Sequence, residues 1–336
     1  MTTAVIILNW NGRKMLEEFL PSLIAHTPRQ SARLIVADNG STDDSVEFLR
    51  RRYPQVELIL FPENYGFAEG YNRAIAQTEC DCVVLLNSDV EVSEEWLDAP
   101  LALLRERSDV AAVQPKIRAL RDKHAFEYAG AAGGYVDRWG YPFCRGRIFD
   151  TVETDTGQYD DIAEVFWASG AALFIRRQVY MAVGGLDPRF FAHQEEIDLC
   201  WRLHSRGWRI AVAPSSTVFH LGGGSLDMKN PRKVYLNFRN NLLMLYKNLP
   251  ETALKPTMRI RTLLDFLSAM VFLLTGKFRH MQAVVRARRD FRRMRPDFSA
   301  SRSENLLLGS IPAPMKPYSI VFQFYIRRRK IFSRLP

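Results

Sequence analysis

The 336-residue sequence predicts an α/β protein, a mostly parallel twisted sheet flanked by helices, followed by a helical and basic C-terminal region. Three observations carry this expectation. Short apolar runs alternate with helix-length segments up to residue 114, the pattern of a parallel sheet covered on both faces. The runs end in polar or glycine-bearing segments, and ligands of open α/β sheets bind beyond the carboxyl ends of the strands. The charge is divided: residues 1–226 carry 23 Lys and Arg against 31 Asp and Glu, a net −8, whereas residues 227–336 carry 23 against 6, a net +17. That asymmetry suggests a catalytic body and a basic tail that meets an anionic surface.

The elements follow in order. Residues 4–8 read as a strand ending in Asn9-Trp10-Asn11-Gly12, with a helix over 15–26. Residues 33–37 are the second strand, ending in Asp38-Asn39-Gly40-Ser41-Thr42-Asp43, a turn and N-cap that start a helix over 44–52. A third strand covers 57–61, and a glycine-bearing loop and helix cover 64–77. Strand 82–86, helix 94–107 and strand 110–114 complete the alternation. Residues 115–164 are rich in Gly, Tyr, Trp and Arg and read as loops over a site; a strand resumes over 164–175 and another covers 210–213. Helices are expected over 234–249, 260–275 and 278–294.

Composition sets bounds. With 47% hydrophobic and 25% charged residues the chain is globular and not disordered. Met1-Thr2-Thr3 leads into a strand with no basic n-region or apolar h-region, so a cytoplasmic location is expected. The apolar stretch 263–275 contains Asp265 and falls short of the roughly 20 residues a spanning helix needs. Cys80, Cys82, Cys144 and Cys200 form no Cys-x-x-Cys pair, which points to reduced structural cysteines. No Gly-x-Gly-x-x-Gly follows the first strand and no Walker A sequence occurs, so neither a dinucleotide fold nor a P-loop is supported.

Asn87-Ser88-Asp89, at the end of the apolar run 82–86, is the most informative segment. A carboxylate there is placed to hold a divalent cation against substrate phosphates; the same triplet is also good turn chemistry. Four further segments are singled out: Val36 to Asp43, Asn64 to Ala74, the acidic stretch from Gly184 to His204, and Val218 to Ser225 with its glycines.

In this order these motifs resemble family 2 glycosyltransferases of the GT-A fold, and in particular the bacterial rhamnosyltransferase-like members, over roughly residues 3–247. The resemblance implies a GT-A catalytic domain over 1–226, with a nucleotide-sugar half of about 1–114 and an acceptor half of about 115–226. It implies that Asp38, with Asn39 beside it, binds the nucleotide, and that Asn9, Asn11 and Arg13 fringe the donor pocket. Gly66, Gly70 and Asn72 stand in the second donor motif, where Asn72 is implied to contact the nucleotide. Asn87-Ser88-Asp89 takes the place of the DXD motif, so Asp89 is implied to hold Mg2+ or Mn2+, with Asn87 secondary and His220 as a second ligand. Glu195-Glu196 stands where the family usually has Glu-Asp. The catalytic base is therefore Glu196 or Glu195, with Asp198 supporting. Trp167 lies in the segment that lines the acceptor side.

The implied reaction is inverting, metal-dependent transfer from a nucleotide-sugar donor, dTDP-rhamnose or a UDP-sugar, to a polysaccharide or lipid-linked oligosaccharide. The alternatives are a non-catalytic nucleotide-binding scaffold at the membrane and a sugar-phosphate nucleotidyltransferase. In the tail, basic residues interleave with apolar ones over 286–295 and 326–332. A charged helix face, nucleic-acid binding and attachment to an anionic membrane compete for that pattern. The apolar stretch near 263–274 and the aromatics of 321–325 favour peripheral attachment at the inner face of the cytoplasmic membrane, with no nucleic acid expected.

Overall fold

The computed structural model describes residues 1–222, 230–306 and 311–336. Strands β1 (Thr3–Asn9), β2 (Arg33–Asn39), β3 (Glu57–Phe61) and β4 (Cys82–Leu86) are joined by helices α1 (Arg13–Ala25), α2 (Ser45–Arg52) and α3 (Gly66–Ala76). The strands are parallel in the order β3-β2-β1-β4, so their carboxyl ends lie on one edge. Both faces of β4 are covered, which is why it reads as an unbroken apolar run. α1 turns Leu16, Phe19, Leu20 and Leu23 to the sheet, a one-sided helical stripe. α3 approaches closely through Gly70: a Cβ there would come within 2.8 Å of the Leu8 side chain.

The second half mixes directions. β5 (Val90–Val92), α4 (Asp98–Glu106), β6 (Val110–Ala119) and β7 (Asp122–Phe126) lead into a small antiparallel sheet of β8 (Gly134–Val136), β9 (Pro142–Cys144), β10 (Arg147–Ile148) and β11 (Thr151–Val152). Then come β12 (Ala163–Glu164), β13 (Ala172–Arg176), α5 (Arg177–Ala182), α6 (Glu195–Ser205) and β14 (Arg209–His220). The main sheet runs β3-β2-β1-β4-β13-β6-β14-β12, with β13 antiparallel to both neighbours. The strand expected over 164–175 is therefore two strands, because residues 165–171 cross between β12 and β13. β6 runs five residues past the expected end, through Pro115. β13 pairs β6 only at Ala112 and Val113, and a proline is tolerated where a strand loses one neighbour.

The C-terminal region consists of α7 (Pro231–Asn248), α8 (Glu251–Leu274), α9 (Phe278–Met294) and α10 (Ser299–Leu306). It is not a separate unit. Leu242, Leu243, Met244 and Leu245 of α7 are fully buried in the same core as Leu199 and Trp201 of α6, and Phe332 stacks on Tyr135 at 5.4 Å. The boundary expected at residue 226, itself outside the described residues, thus divides charge but does not divide the core. The aromatics of 321–325 are also partly internal: Phe324 is buried against Phe149. Cys82, Cys144 and Cys200 are buried free thiols, and Cys80 is a partly buried one.

α7 is fastened by charge as well as by leucines. The buried Lys247 ammonium lies 2.7 Å from Asp187 and 2.8 Å from Asp198, and Asp198 also accepts from Arg202 (2.9 Å) and Asn248 (2.8 Å). Removing one member of a buried pair leaves the other charge uncompensated. Lys247→Met is expected to lower the unfolding free energy by about 3–5 kcal/mol in urea titrations; near-wild-type stability would mean that apolar packing alone holds α7.

Candidate functional site

Asp89 and His220 meet through strand register. β14 runs antiparallel to β5 with His220 opposite Val90, and the Leu221 amide donates to the Asp89 carbonyl (3.0 Å). His220 Nε2 consequently lies 3.1 Å from Asp89 Oδ1 and 3.4 Å from Asn87 Nδ2. A separation near 3 Å is the edge of an octahedron with bonds of about 2.1 Å, so carboxylate and imidazole can hold one Mg2+ or Mn2+ between them. No group of three or more His, Cys, Asp or Glu is arranged to hold a metal among the described residues, so further ligand positions would fall to substrate oxygens or water. Sequence reasoning missed Glu127. Its Oε1 lies 3.5 Å from His220 Nδ1, at ion-pair distance on the side where a ligating histidine has its outer partner, although Nδ1 makes no hydrogen bond among the described residues. Burial opposes charge on His220, but Asp89 and Glu127 outweigh it and raise its pKa to about 10; a metal would have to displace that proton. Gly223 to Ser225, the rest of the expected His-containing loop, lie outside the described residues.

The donor-side residues gather at the carboxyl ends of β1 and β2. Asn9 is paired in register with Asp38, and its amide donates to Asp38 Oδ1 (2.8 Å) while the Ser41 amide donates to Oδ2 (2.9 Å). The carboxylate is thereby held still with lone pairs left over. Asn11 accepts from the Thr42 and Asp43 amides, joining the two loops, and the Arg13 guanidinium packs over Phe48. Asn39 receives the Tyr65 amide and donates to Asn64 and Gly66, which fixes the entry to α3. Gly66 adopts φ +76°, and Gly70 is the close helix–sheet contact described above. Asn72, expected at the nucleotide, bridges from α3 to Tyr180 and Leu186. Its Nδ2 donates to the Leu186 carbonyl (2.8 Å), and its Oδ1 accepts from Tyr180 Oη (2.6 Å) and the Leu186 amide (3.0 Å).

Glu195 and Glu196 open α6 in its first turn, where the helix dipole favours anions. Burial nevertheless raises both carboxyls, Glu195 further because Glu196 is beside it. Each has a buried Oε2 without a hydrogen-bond partner among the described residues, and so does His193 at Nε2. Burial and Lys233 push His193 down to about 4, so it is neutral. Gly170 ties this turn to the other motifs. A Cβ there would lie 3.7 Å from Phe67 of α3 and 3.8 Å from the Glu196 Cβ, while the next residue, Ala171, accepts from the Asn87 amide (3.0 Å). Trp167 is core: it is buried and donates to the Tyr135 carbonyl (3.1 Å).

The loop before α6 is strained. Phe191, His193 and Gln194 all have positive φ, between 68° and 76°. Its restraint comes from α7, which sequence reasoning had placed in the tail. Asn240 Nδ2 lies within hydrogen-bond reach of the Phe190, Ala192 and His193 carbonyls (2.9, 2.8 and 2.8 Å), and Asn241 donates to Gln194 Oε1 (3.1 Å). No motif in the sequence marks these asparagines. Asn240→Ala is expected to cost about 1–3 kcal/mol of stability and to reduce turnover with nucleotide affinity unchanged, separable by calorimetry and steady-state kinetics. An unchanged kcat would deny the loop restraint any part in catalysis.

A family profile described as "Glycosyltransferase like family 2" matches residues 2–242. The N-acetylglucosaminyl-diphospho-decaprenol L-rhamnosyltransferase of Mycobacterium tuberculosis is 31% identical over 234 residues, 64% of this chain and 75% of that protein. The O-antigen biosynthesis protein RfbC of Myxococcus xanthus is 25% identical over 209 residues, 61% of this chain but 16% of that longer protein. In fold, the chain is similar to S. aureus TarS 1–349 in complex with UDP-GlcNAc, with a TM-score of 0.57 at 16% identity, covering 91% of this chain and 88% of that one. It is also similar to GalNAc-T7 with UDP, GalNAc and Mn2+, with a TM-score of 0.58 at 16% identity, covering 75% of this chain and 48% of that one. With the profile spanning most of its length and the sheet order established, this chain belongs to glycosyltransferase family 2 and is a transferase of GT-A-type fold.

Proposed function

We propose that the protein moves a sugar, with inversion, from a pyrimidine nucleotide sugar such as dTDP-rhamnose or a UDP-sugar to a lipid-linked oligosaccharide or growing polysaccharide. The observation that carries this reading is the Glu195-Glu196 pair, two buried carboxyls with unpartnered oxygens on the turn that Gly170 ties to Asn87. A base needs a free lone pair and a pKa lifted towards the working pH, and burial supplies the lift at both residues. Glu196 is the preferred base, since the Glu195 carboxyl is pushed further towards its neutral form by its neighbour. Glu196 would take the proton of the acceptor hydroxyl as that oxygen bonds to the anomeric carbon. The bond from that carbon to the nucleoside diphosphate breaks at the same time, and the diphosphate leaves with its electron pair. Asp38 would hold the nucleoside, and Asp89 with His220 would hold a divalent cation. Once bound, the cation would neutralise the departing diphosphate. Similarity to the mycobacterial rhamnosyltransferase supports a lipid diphosphate acceptor, and the Mn2+ in the GalNAc-T7 structure supports a metal.

A lipid-linked acceptor calls for contact with a membrane, and α8 is suited to it. Asp265 and Arg261 face inward and pair at 3.3 Å, with Arg288 of α9 also on Asp265 (2.5 Å). Leu263, Phe266, Leu267, Val271 and Leu274 face solvent. Charges inside and apolar residues outside, at helical spacing, invert the usual surface helix; together with the exposed cations Arg259, Lys277 and Arg279, they suit an anionic bilayer. No helix among the described residues is long and apolar enough to cross a membrane. We propose that the apolar face of α8 and its flanking cations hold the protein at the inner face of the cytoplasmic membrane.

Glu196→Gln is expected to lower kcat by about 10²- to 10⁴-fold while keeping metal-dependent thermal stabilisation by UDP or dTDP, which Asp89→Ala loses. Because the base must be ionised and its pKa is raised, wild-type kcat/KM should climb with pH through a midpoint above the ordinary Glu value of about 4.3. Full activity of Glu196→Gln would remove it as the base. In flotation assays with phosphatidylglycerol vesicles at low salt, Leu267→Glu/Val271→Glu should stay unbound where the wild type floats; equal flotation would exclude the α8 face.

A further inference from the structure

A groove of about 740 Å³ runs between α7 and α9, within the size range of small-ligand sites. Its lining includes Phe191, Arg232, Tyr235, Arg239, Arg279 and Arg286, and no Asp or Glu. The arginines divide by task. Arg239 is buried and donates to the Phe190 carbonyl (2.9 Å), so it holds the loop. Arg232, Arg279 and Arg286 are exposed along the groove. Arg232 packs over Phe191 and Arg286 over Tyr235, each with its guanidinium 5.1 Å from the ring centre. Tyr235 Oη donates to Asp290 (2.9 Å), whose other oxygen takes Arg289 (3.1 Å); Arg286 Nε stands farther from Asp290, at 3.7 Å. Guanidinium forks match phosphate oxygens in pairs, and a concave site of one sign concentrates its field.

The two ends of the groove define the order of groups in its ligand. One end is Phe191, an aromatic ring 51% exposed on the strained loop that leads directly into Glu195 and Glu196. The other end is Arg279, which follows Phe278, itself 58% exposed and next in line after the apolar face of α8 at Leu274. A ligand lying along this path would present a polar group to the catalytic turn, an anion to the arginines and an apolar chain to α8. We propose that this groove binds the diphosphate of a lipid-linked sugar acceptor, with its sugar towards Glu196 and its lipid towards α8. This rests on the lipid-linked acceptor of the preceding section and assigns it a site separate from the donor pocket. Arg279 and Arg286 hold the diphosphate, and Phe191 is the platform for the first sugar.

The test is calorimetric binding of farnesyl diphosphate to the full chain with EDTA present, which removes metal-dependent binding at Asp89. The wild type is expected to bind one equivalent, displaced by inorganic pyrophosphate but not by farnesol. Arg279→Gln/Arg286→Gln should weaken binding by at least about ten-fold with an unchanged melting temperature, and Asp89→Ala should bind as the wild type does. Any of three results would overturn the proposal: no binding by the wild type, loss in Asp89→Ala and not in the arginine variant, or displacement by phosphatidylglycerol as effective as by pyrophosphate. The last would assign the arginines to bilayer headgroups. The readout needs no turnover, so failure to glycosylate any lipid diphosphate would register separately, against the acceptor reading, in the transfer assay.

Discussion

The loop and turn that carry Glu195 and Glu196 depend on one buried cation. Lys247 sits between Asp187 and Asp198, with Arg202 and Asn248 completing the cluster. An ammonium in that position would be strongly unfavourable without both carboxylates. The two acids bracket the segment that matters: Asp187 begins the loop and Asp198 lies in the opening turns of α6, with Glu195 and Glu196 between them. Burial opposes ionisation of Asp187, yet the Arg189 hydrogen bond and the Lys247 charge hold it well below the usual carboxylate range. The Asp187 charge is thus kept at working pH, and α7 cannot shift without exposing the buried Lys247 ammonium.

That anchorage allows the loop to hold an unfavourable conformation. Three non-glycine residues at positive φ cost on the order of 1–3 kcal/mol each, and such strain persists only where the surroundings over-determine it. The carboxamides of Asn240 and Asn241 take up the loop's polar groups, so the strain ends at a turn whose carboxylates each keep an unpartnered oxygen among the described residues. The donor side achieves rigidity differently. There the ends of adjacent parallel strands share hydrogen bonds directly, Asn9 to Asp38 and Asn39 to the α3 entry. Asn72 then links α3 to Leu186 and so joins the two sides.

The C-terminal helices carry two contrasting outer faces. α9 packs Ala283, Val284, Ala287 and Phe291 inward and leaves Arg286, Arg289, Arg292 and Arg293 in solvent. α8 does the reverse with its apolar residues. A cationic face and an apolar face thus belong to neighbouring helices, at the end of a groove that starts at Phe191.

Much of this was legible in the sequence because it is local. Unbroken apolar runs mark buried strands, and polar residues at their ends mark the binding edge. Asp89 was found that way, Asp38 and the Glu195-Glu196 pair through the resemblance of their segments to the family's motifs, and the structure carries all of them to the same side of the sheet or its neighbouring turn. Other features depended on pairings across long stretches of chain. Glu127 reaches His220 only because β14 returns alongside β5 and β6. Asn240 and Lys247 read as part of a basic tail until α7 is seen inside the core. Asp265 looked like a flaw in an apolar segment, whereas it is the inward-facing residue of a helix whose apolar side faces out. The sequence by itself determined the period, the strand ends and the charge division, since each is written in neighbouring residues. Only the tertiary structure decided which buried charges found partners, because the free energy of a buried charge depends on what lies against it and not on what adjoins it in the chain.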